Sequence, residues 1–338
     1  MFLTRKRAFA RAGLLGNPSD GYHGKTISIS VRNYWAEVVL YEWDAVEIVL
    51  ADDDRAKFDS VDELARDVRL HGYYGGIRLI KATIKRFVEH CRANNLTLHD
   101  RKFSVRYQTT IPRQVGLAGS SAIIIATLRC LMEFYDVQIP LEAQPAFAAL
   151  VEQEELGITV GLQDRVIQAY EGLVYMDFDP AREHIVDGLP CYWYEPMDPS
   201  LLPPLYVAYH ETLGEPTEIF HNNIRQRFRE GDRHVIDAMT RLAALAAEGR
   251  EALLARDAGC LARVMNANFD TRRSIYRLAQ WQIDQVETAR ACGASAKFAG
   301  SGGAIIGSYD TEAVFEDVRR RLAAIGSRTV KPQVVGSR

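Results

Sequence analysis

The sequence has 338 residues, with 41 Lys and Arg against 44 Asp and Glu, so its formal net charge is −3. Charged residues make up 25% and apolar residues 47%, which excludes an intrinsically disordered chain and argues against a nucleic-acid binder that works through bulk positive charge. No uncharged apolar run approaches the roughly 20 residues of a membrane helix, and the five scattered cysteines form no CxxC motif, so we expect a cytoplasmic protein without membrane partners.

The first half of the chain interleaves predicted strands and helices. Residues 26–40 are rich in β-branched and aromatic residues, which predicts a strand or hairpin. Apolar residues at helical spacing predict helices over 61–69 and 77–93. The other predicted elements of this half are a strand over 103–111, helices from Ser120 to about Tyr135, over 143–156 and over 162–170, and a strand over 173–178.

A proline-rich segment at 196–204 gives the best domain boundary, so we assign residues 1–198 to one domain and 199–338 to another. Strands and helices are interleaved on both sides of it, which predicts a two-domain α+β or mixed α/β protein. The second half is expected to hold a strand over 205–209, three helical stretches between about 217 and 292, a glycine loop at 300–303, a strand over 304–308 and a helix over 311–325.

The tripeptide Gly24-Lys25-Thr26 imitates the end of a Walker A phosphate loop. That motif needs a glycine five residues before its Gly-Lys pair, but position 19 is Ser. It also needs a helix after the loop, whereas residues 27–31 alternate β-branched residues and serine and favour a strand. We therefore do not expect a phosphate loop here.

A second glycine segment, Ile111 to Leu131, has the right context for a phosphate loop. A predicted strand precedes it and an apolar helix follows, so free N–H groups and the helix dipole would favour an anion there. An ordinary helix cap is the alternative, because serines often cap helices. The candidate cofactor-binding residues are Pro112, Gly116, Leu117, Ala118, Gly119, Ser120, Ser121 and Ala122.

A third glycine segment, Lys297 to Gly307, lies between two apolar stretches. It is either a tight turn or a second backbone surface that approaches a nucleotide or substrate closely. Gly302 and Gly303 are its candidate binding residues.

Taken in order, the N-terminal segment, the loop IPRQVGLAGSSA and the C-terminal glycine loop resemble the three motifs of the GHMP kinases. The resemblance implies the two-domain fold of that family, with an N-terminal domain like ribosomal protein S5 domain 2 and a ferredoxin-like C-terminal domain. Within that family, plant-type glucuronokinases are resembled by the segments GNPSD (16–20), YYGG (73–76), GLQDR (161–165), SLLPPL (200–205), MNANFD (265–270) and KFAGSGGA (297–304).

This resemblance implies an enzyme that uses ATP and Mg²⁺ to phosphorylate the anomeric hydroxyl of D-glucuronate, giving glucuronate 1-phosphate. Other readings are another sugar acceptor (galacturonate, L-fucose, galactose or a heptose phosphate) or a nucleotide-binding regulator without catalysis. The expected partners are ATP and a small sugar acid rather than nucleic acid. The sequence leaves a monomer and a homodimer equally open.

The resemblance also implies site residues. Asp164 in GLQD matches the catalytic Asp of galactokinase-like members, although a first-turn Asp is also an ordinary helix stabiliser. Arg11 matches an arginine beside the transferred phosphate. Asp20 matches a residue that binds sugar hydroxyls, while Asn17-Pro18 replaces the Glu-His of galactokinase and indicates a different sugar; Asn17 is therefore a candidate substrate contact.

For Mg²⁺, the resemblance implies Glu152 and a serine from the second glycine segment. Two alignments are possible, and they select Ser120 or Ser121. Because Glu154 and Glu155 follow closely, Glu152 also fits a solvated acidic helix face. The substrate carboxylate needs a cation, for which Arg113, Arg272 and Arg273 are candidates, although each also fits a surface charge.

Overall fold

The computed structural model describes residues 2–49, 75–212 and 224–337. The predicted helix over 61–69, part of the YYGG segment and the expected helix start near 217 lie outside these ranges. Within them, the α+β prediction is confirmed, since two main sheets are covered by helices.

The first sheet has six strands and is built around one long strand. β1 (Leu3–Leu15) and β2 (Lys25–Trp43) form an antiparallel hairpin whose register shifts between Phe9 and Ala10. The first part of β2 also pairs with β5 (Leu173–Asp177) and its last part with β4 (Lys102–Thr109). The sheet is completed by β3 (Glu47–Ile48) and β8 (Trp193–Met197), and a separate small hairpin is formed by β6 (His184–Val186) and β7 (Leu189–Cys191).

Four helices accompany this sheet: α1 (Gly76–Ala93), α2 (Gly119–Tyr135), α3 (Gln144–Leu150) and α4 (Gln163–Tyr170). α2 is apolar on nearly every side, as a helix must be when it lies between other elements, and it packs against α1, β1 and β2. The helix predicted over 143–156 is present but irregular, because a π-helical turn over Val151–Glu155 follows α3. That turn buries Glu152.

The second sheet contains β9 (Leu205–His210), β10 (Lys297–Phe298), β11 (Ala304–Ser308) and β12 (Ser327–Val330), all antiparallel in the order β10-β11-β9-β12. Three long helices connect β9 to β10, and one helix connects β11 to β12. This strand–helix–strand–strand–helix–strand order is the ferredoxin-like arrangement. The helices are α5 (Arg233–Leu254), α6 (Ala258–Ile275), α7 (Gln280–Ala291) and α8 (Glu312–Ala324), and residues 224–229 are also helical.

The two halves are closely joined. β8 ends the first sheet at Met197 and β9 begins the second at Leu205, but one apolar core continues through both halves. The C-terminal segment also returns to the first half, where Gln333 bonds to the backbone of Arg32 and the side chain of Asn33. The boundary between residues 198 and 199 therefore stays a prediction.

Candidate active site

β1, which the sequence analysis did not predict as a strand, runs between two glycine loops. The backbone N–H of Arg11 donates to the carbonyl of Leu117 at 3.1 Å, and the N–H of Gly13 donates to the carbonyl of Ala299 at 2.7 Å. One strand of the first sheet therefore holds a loop from each half of the chain.

The two glycine loops contact each other directly through their backbones. A Cβ on Gly300 would lie 2.0 Å from the carbonyl oxygen of Gly116, and one on Gly303 would lie 2.5 Å from the Cα of Val115. Gly116 and Gly302 have φ values of +79° and +136°, which L side chains rarely adopt. These glycines are therefore needed for the close contact between the loops as well as for any approach of a ligand.

The two candidate serines at the start of α2 have different hydrogen-bond partners. Ala118 precedes the helix with φ +62°, and neither serine caps the helix through its side chain. The hydroxyl of Ser120 donates to Oε1 of Glu152 at 2.9 Å, whereas the hydroxyl of buried Ser121 points to the carbonyl of Ala118 at 3.4 Å. Only Ser120 thus meets the candidate metal-binding carboxylate.

Glu152 does not lie on a solvated acidic face. Its side chain is 2% exposed, and Oε2 accepts hydrogen bonds from Nε of Arg165 at 2.8 Å and from Nη2 of the same guanidinium. Its neighbours Glu154 and Glu155 instead pair with basic side chains of α1. One oxygen of Glu152 is therefore held by Arg165, and the other faces Ser120.

Asp164 and Arg11 form the central ion pair. Asp164 is the second residue of α4, and its Oδ1 lies 2.5 Å from Nη2 of Arg11. Nη1 of Arg11 donates to the carbonyl oxygens of Ala299 at 2.5 Å and Gly116 at 3.3 Å. The side chain of Asp164 is 19% exposed, while that of Arg11 is 6% exposed, so the carboxylate can be reached and the guanidinium is fixed.

Asp20 lies beside this pair, on a short helical turn over Ser19–Tyr22. Its Oδ1 accepts a hydrogen bond at 2.9 Å from the side chain of Gln163, the residue before Asp164. Burial raises the pKa of Asp20 to about 6, and the nearby negative charge of Asp164 adds to the rise. The predicted sugar-binding carboxylate and the predicted catalytic carboxylate are thus adjacent.

Lys297, a buried cation in the second half, was not predicted as a site residue from the sequence. Nζ of Lys297, 1% exposed, donates to the carbonyls of Gly13 and Phe298 and to Oδ1 of Asn17, at 2.5–2.7 Å. Burial and the charges of Arg272 and Arg11 lower its pKa. The segment KFAGSGGA (297–304) includes this lysine, but no local sequence pattern indicated that its side chain would be buried.

Arg272 corrects an expectation, since it is 1% exposed rather than a surface charge. Its Nη1 and Nη2 donate to the carbonyls of Gly300 and Ser301 at 2.7 and 3.1 Å, so it supports the C-terminal glycine loop. Arg273 is exposed and pairs with Glu287, and Arg113 is exposed.

Asn17, a candidate substrate contact, is buried and engaged within the protein. Its Oδ1 accepts from Lys297 at 2.5 Å, and its Nδ2 donates to the carbonyl of Phe298 at 3.4 Å. Its side chain therefore links β1's hairpin to β10. The structure brings five other predicted residues together, since Nη1 of Arg165 lies 3.6 Å from Oδ2 of Asp164 and so connects the two ion pairs; these residues are Arg11, Asp20, Ser120, Glu152 and Asp164.

Some site types are absent from the described ranges. In residues 2–49, 75–212 and 224–337, no three His, Cys, Asp or Glu side chains cluster in a way that could hold a metal ion by themselves. The helices in these ranges include none with the length and apolarity required to cross a membrane.

Comparisons with known proteins agree with this geometry. The sequence profile of the GHMP kinases N terminal domain matches residues 78–172. Glucuronokinase 1 of Arabidopsis thaliana is 46% identical over 306 residues, which are 89% of this chain and 83% of the relative.

Solved structures show the same fold at low sequence identity. The galactokinase of Lactococcus lactis, solved with galactose, has a TM-score of 0.79 and 15% identity over 99% of this chain and 95% of its own. The mevalonate kinase of Methanococcus jannaschii has a TM-score of 0.73 and 16% identity over 99% of each chain.

Proposed function

This chain belongs to the GHMP kinase family, and from that premise we propose that it transfers the γ-phosphoryl group of ATP to the anomeric hydroxyl of D-glucuronate, giving glucuronate 1-phosphate and ADP. The observation that carries the proposal is the Arg11–Asp164 ion pair, held between two glycine loops. The high identity to a glucuronokinase supports the choice of sugar.

Asp164 is the proposed base. Its carboxylate takes the proton of the anomeric hydroxyl as the O1–phosphorus bond forms and the bond from phosphorus to the β,γ-bridging oxygen breaks, so that ADP leaves with the electron pair. An anomeric hydroxyl is more acidic than an ordinary alcohol, which suits a carboxylate base. The partial exposure of Asp164 gives the substrate access to it.

Arg11 and the two loops would hold the phosphates. The fixed guanidinium of Arg11 offsets negative charge that develops on the transferred group, without needing to reorganise. The loop from Pro112 to Ala118 and the N-terminus of α2, from Gly119 to Ala122, present backbone N–H groups and the positive end of the helix dipole to ATP.

Ser120 and Glu152 would hold Mg²⁺. One hydroxyl and one free carboxylate oxygen, 2.9 Å apart, are hard oxygen ligands of the kind Mg²⁺ prefers, and Mg²⁺ in kinases takes its other ligands from phosphates and water. The bound ion would neutralise charge on the β- and γ-phosphates. Arg165 keeps the Glu152 carboxylate oriented toward Ser120, while Ser121 belongs to the packing of α2.

Asp20 would accept hydrogen bonds from sugar hydroxyls next to Asp164. Gln163 holds its carboxylate in place through two hydrogen bonds. We assign Asn17, Gly302 and Gly303 supporting roles, since Asn17 and Gly303 maintain the contact between the two halves, and Gly302 packs closely on Gln282 beside them. A cytoplasmic location is part of the proposal, because all five cysteines are free thiols.

The test is release of ADP by the purified protein with ATP and Mg²⁺ and each of D-glucuronate, D-galacturonate, D-galactose, L-fucose and D-glucose. We expect turnover confined to D-glucuronate, with an acid-labile 1-phosphate as product. Preference for a neutral sugar would overturn the choice of substrate, and tight ATP binding without turnover on any sugar would overturn catalysis.

A further inference from the structure

Arg225 is a half-buried cation on the sugar side of the candidate site. It lies in the helical stretch over 224–229, and a Cβ built on Gly21 would be 3.7 Å from its Nη2. Across the described ranges, no carboxylate lies within ion-pair distance of it, whereas Arg227, two residues later, pairs with Asp232 at 2.9 Å.

The terminal nitrogens of the buried cations of the site already have acceptors within the protein. Arg11 pairs with Asp164, Arg165 pairs with Glu152, and Lys297 and Arg272 donate to backbone carbonyls. Arg225 therefore differs from its neighbours, because its guanidinium is left with donors for a ligand.

Tyr22 adds a second observation at the same place. The residue is 9% exposed, and its buried hydroxyl has no hydrogen-bond partner of ordinary geometry among the residues the structure describes, where the guanidinium of Arg225 is the side chain that interacts with it. Leaving a buried hydroxyl unpaired costs free energy, and such groups are uncommon in native proteins. Burial raises the pKa of Tyr22, and the positive charge of Arg225 opposes that rise, so the two polar groups are neighbours.

Packing fixes the position of Arg225 relative to the reaction. Phe228, one turn along the same stretch, packs on Tyr22 with ring centroids 4.8 Å apart, and Ile224 is buried in the same cluster with Tyr276. The turn over Ser19–Tyr22 thus presents Asp20 to the Asp164 side and Tyr22 to the Arg225 side.

We propose that Arg225 and the Tyr22 hydroxyl bind the carboxylate of the sugar acid and so select a uronate over a neutral sugar; this inference rests on the proposed function. In D-glucuronate the carboxylate is carried by C5, on the other side of the ring oxygen from C1. A sugar with its C1 hydroxyl at Asp164 directs that carboxylate away from Asp164. Two N–H donors of one guanidinium match a carboxylate in geometry and charge.

The experiment compares Arg225→Gln, Arg225→Lys and Tyr22→Phe with the wild type. Arg225→Gln should raise the KM for D-glucuronate roughly 10- to 100-fold, because a charge-assisted pair is lost, while the KM for ATP and kcat stay near the wild-type values. Arg225→Lys should recover part of this loss. Tyr22→Phe, which keeps the ring and its packing, should raise the same KM by a smaller factor.

The matched control is Arg229→Gln, since Arg229 is an exposed cation of the same stretch. It should leave both KM values unchanged. An Arg225→Gln variant with an unchanged KM for D-glucuronate would overturn the inference while leaving the proposed function intact.

If the wild type has no turnover on D-glucuronate, the proposed function fails, and calorimetric titration with D-glucuronate and D-glucose decides on Arg225 separately. Binding of D-glucuronate that is lost in Arg225→Gln supports the carboxylate site. Equal binding by the two proteins, or no binding by either, overturns it.

Discussion

The two halves of the candidate site hold their charges in different ways. In the first half, carboxylates and guanidinium groups are paired, as in Asp164 with Arg11 and Glu152 with Arg165. In the second half, Lys297 and Arg272 donate to neutral acceptors, and no carboxylate of the described ranges lies within ion-pair distance of either. The first half therefore compensates its buried guanidinium groups with carboxylates, while Lys297 and Arg272 in the second half are compensated by neutral acceptors.

This difference predicts which substitutions lower turnover and which lower the stability of the fold. Removing a paired group from the first half changes the charge that faces the substrate. Removing a cation from the second half leaves buried carbonyls without donors and frees a loop that must lie against Gly116. Variants of the first half should therefore lose mainly turnover, and variants of the second half should lose mainly stability.

The strongest test of this contrast is Asp164→Asn. Because the base is lost while its shape is kept, kcat should fall by about 10²- to 10⁴-fold, with ATP affinity by calorimetry nearly unchanged. Exposed Asp284 offers a matched Asp284→Asn control that should remain fully active. Substantial activity in Asp164→Asn would remove Asp164 from the mechanism.

Lys297→Met tests the second half. Three acceptors lose their donor in a buried place, so the free energy of unfolding should fall by about 3 kcal/mol. Urea denaturation measures it, with Lys85→Met as a control in which exposed ion pairs with Glu89 and Glu155 are lost and the stability should change little. A wild-type stability for Lys297→Met would contradict the supporting role of this lysine.

Ser120→Ala and Ser121→Ala form a matched pair within the phosphate loop. Ser120→Ala should raise the Mg²⁺ concentration for half-maximal activity roughly 10-fold, since one ligand oxygen is lost. Ser121→Ala should have little effect, because its buried hydroxyl points to the carbonyl of Ala118 at the start of α2. The reverse order of effects in a Mg²⁺ titration would assign the ligand to Ser121.

The smallest expected effect is the pH dependence of the KM for the sugar, which we attribute to Asp20. Because its pKa is about 6 and the carboxylate is the form that accepts sugar hydroxyls, KM for the sugar should fall about 10-fold between pH 5 and pH 7. Folding favours the protonated form, so this contribution to stability is complete below the ordinary value of 3.8 and is lost as the pH rises through about 6.

Asp20→Asn is the companion variant for this prediction. It should flatten the dependence of KM on pH and gain stability relative to the wild type above pH 6. A pH profile identical to that of the wild type would show that another group titrates.

Local sequence patterns predicted the elements that depend on local forces. α2 and its glycine loop followed from an apolar run behind glycines and serines, and the strand at 103–111 followed from alternation. Asp164 and Glu152 were predicted through the resemblance to GHMP kinase motifs, and the structure places them beside Arg11 and Ser120.

Long-range contacts decided what the sequence could not predict. β1 carries Arg5, Lys6, Arg7 and Arg11, which look like a solvated basic segment, and it becomes a strand only through pairing with β2. Arg272 and Lys297 carry charges that local patterns assign to the surface, yet carbonyls from distant loops surround them. No sequence pattern singled out Arg225, because its proposed binding role depends on its proximity to Tyr22, about 200 residues earlier in the chain.

The path of β1 between the two loops has a consequence for how the protein is made. Arg11 leaves the ribosome early, but one of its acceptors, Ala299, lies 288 residues later in the chain. A nascent chain therefore carries one member of the central ion pair long before the second loop exists to hold it. Such distant pairing is slow to form, so a chain that has not yet made the second loop leaves Arg11 without the Ala299 acceptor that helps to hold it.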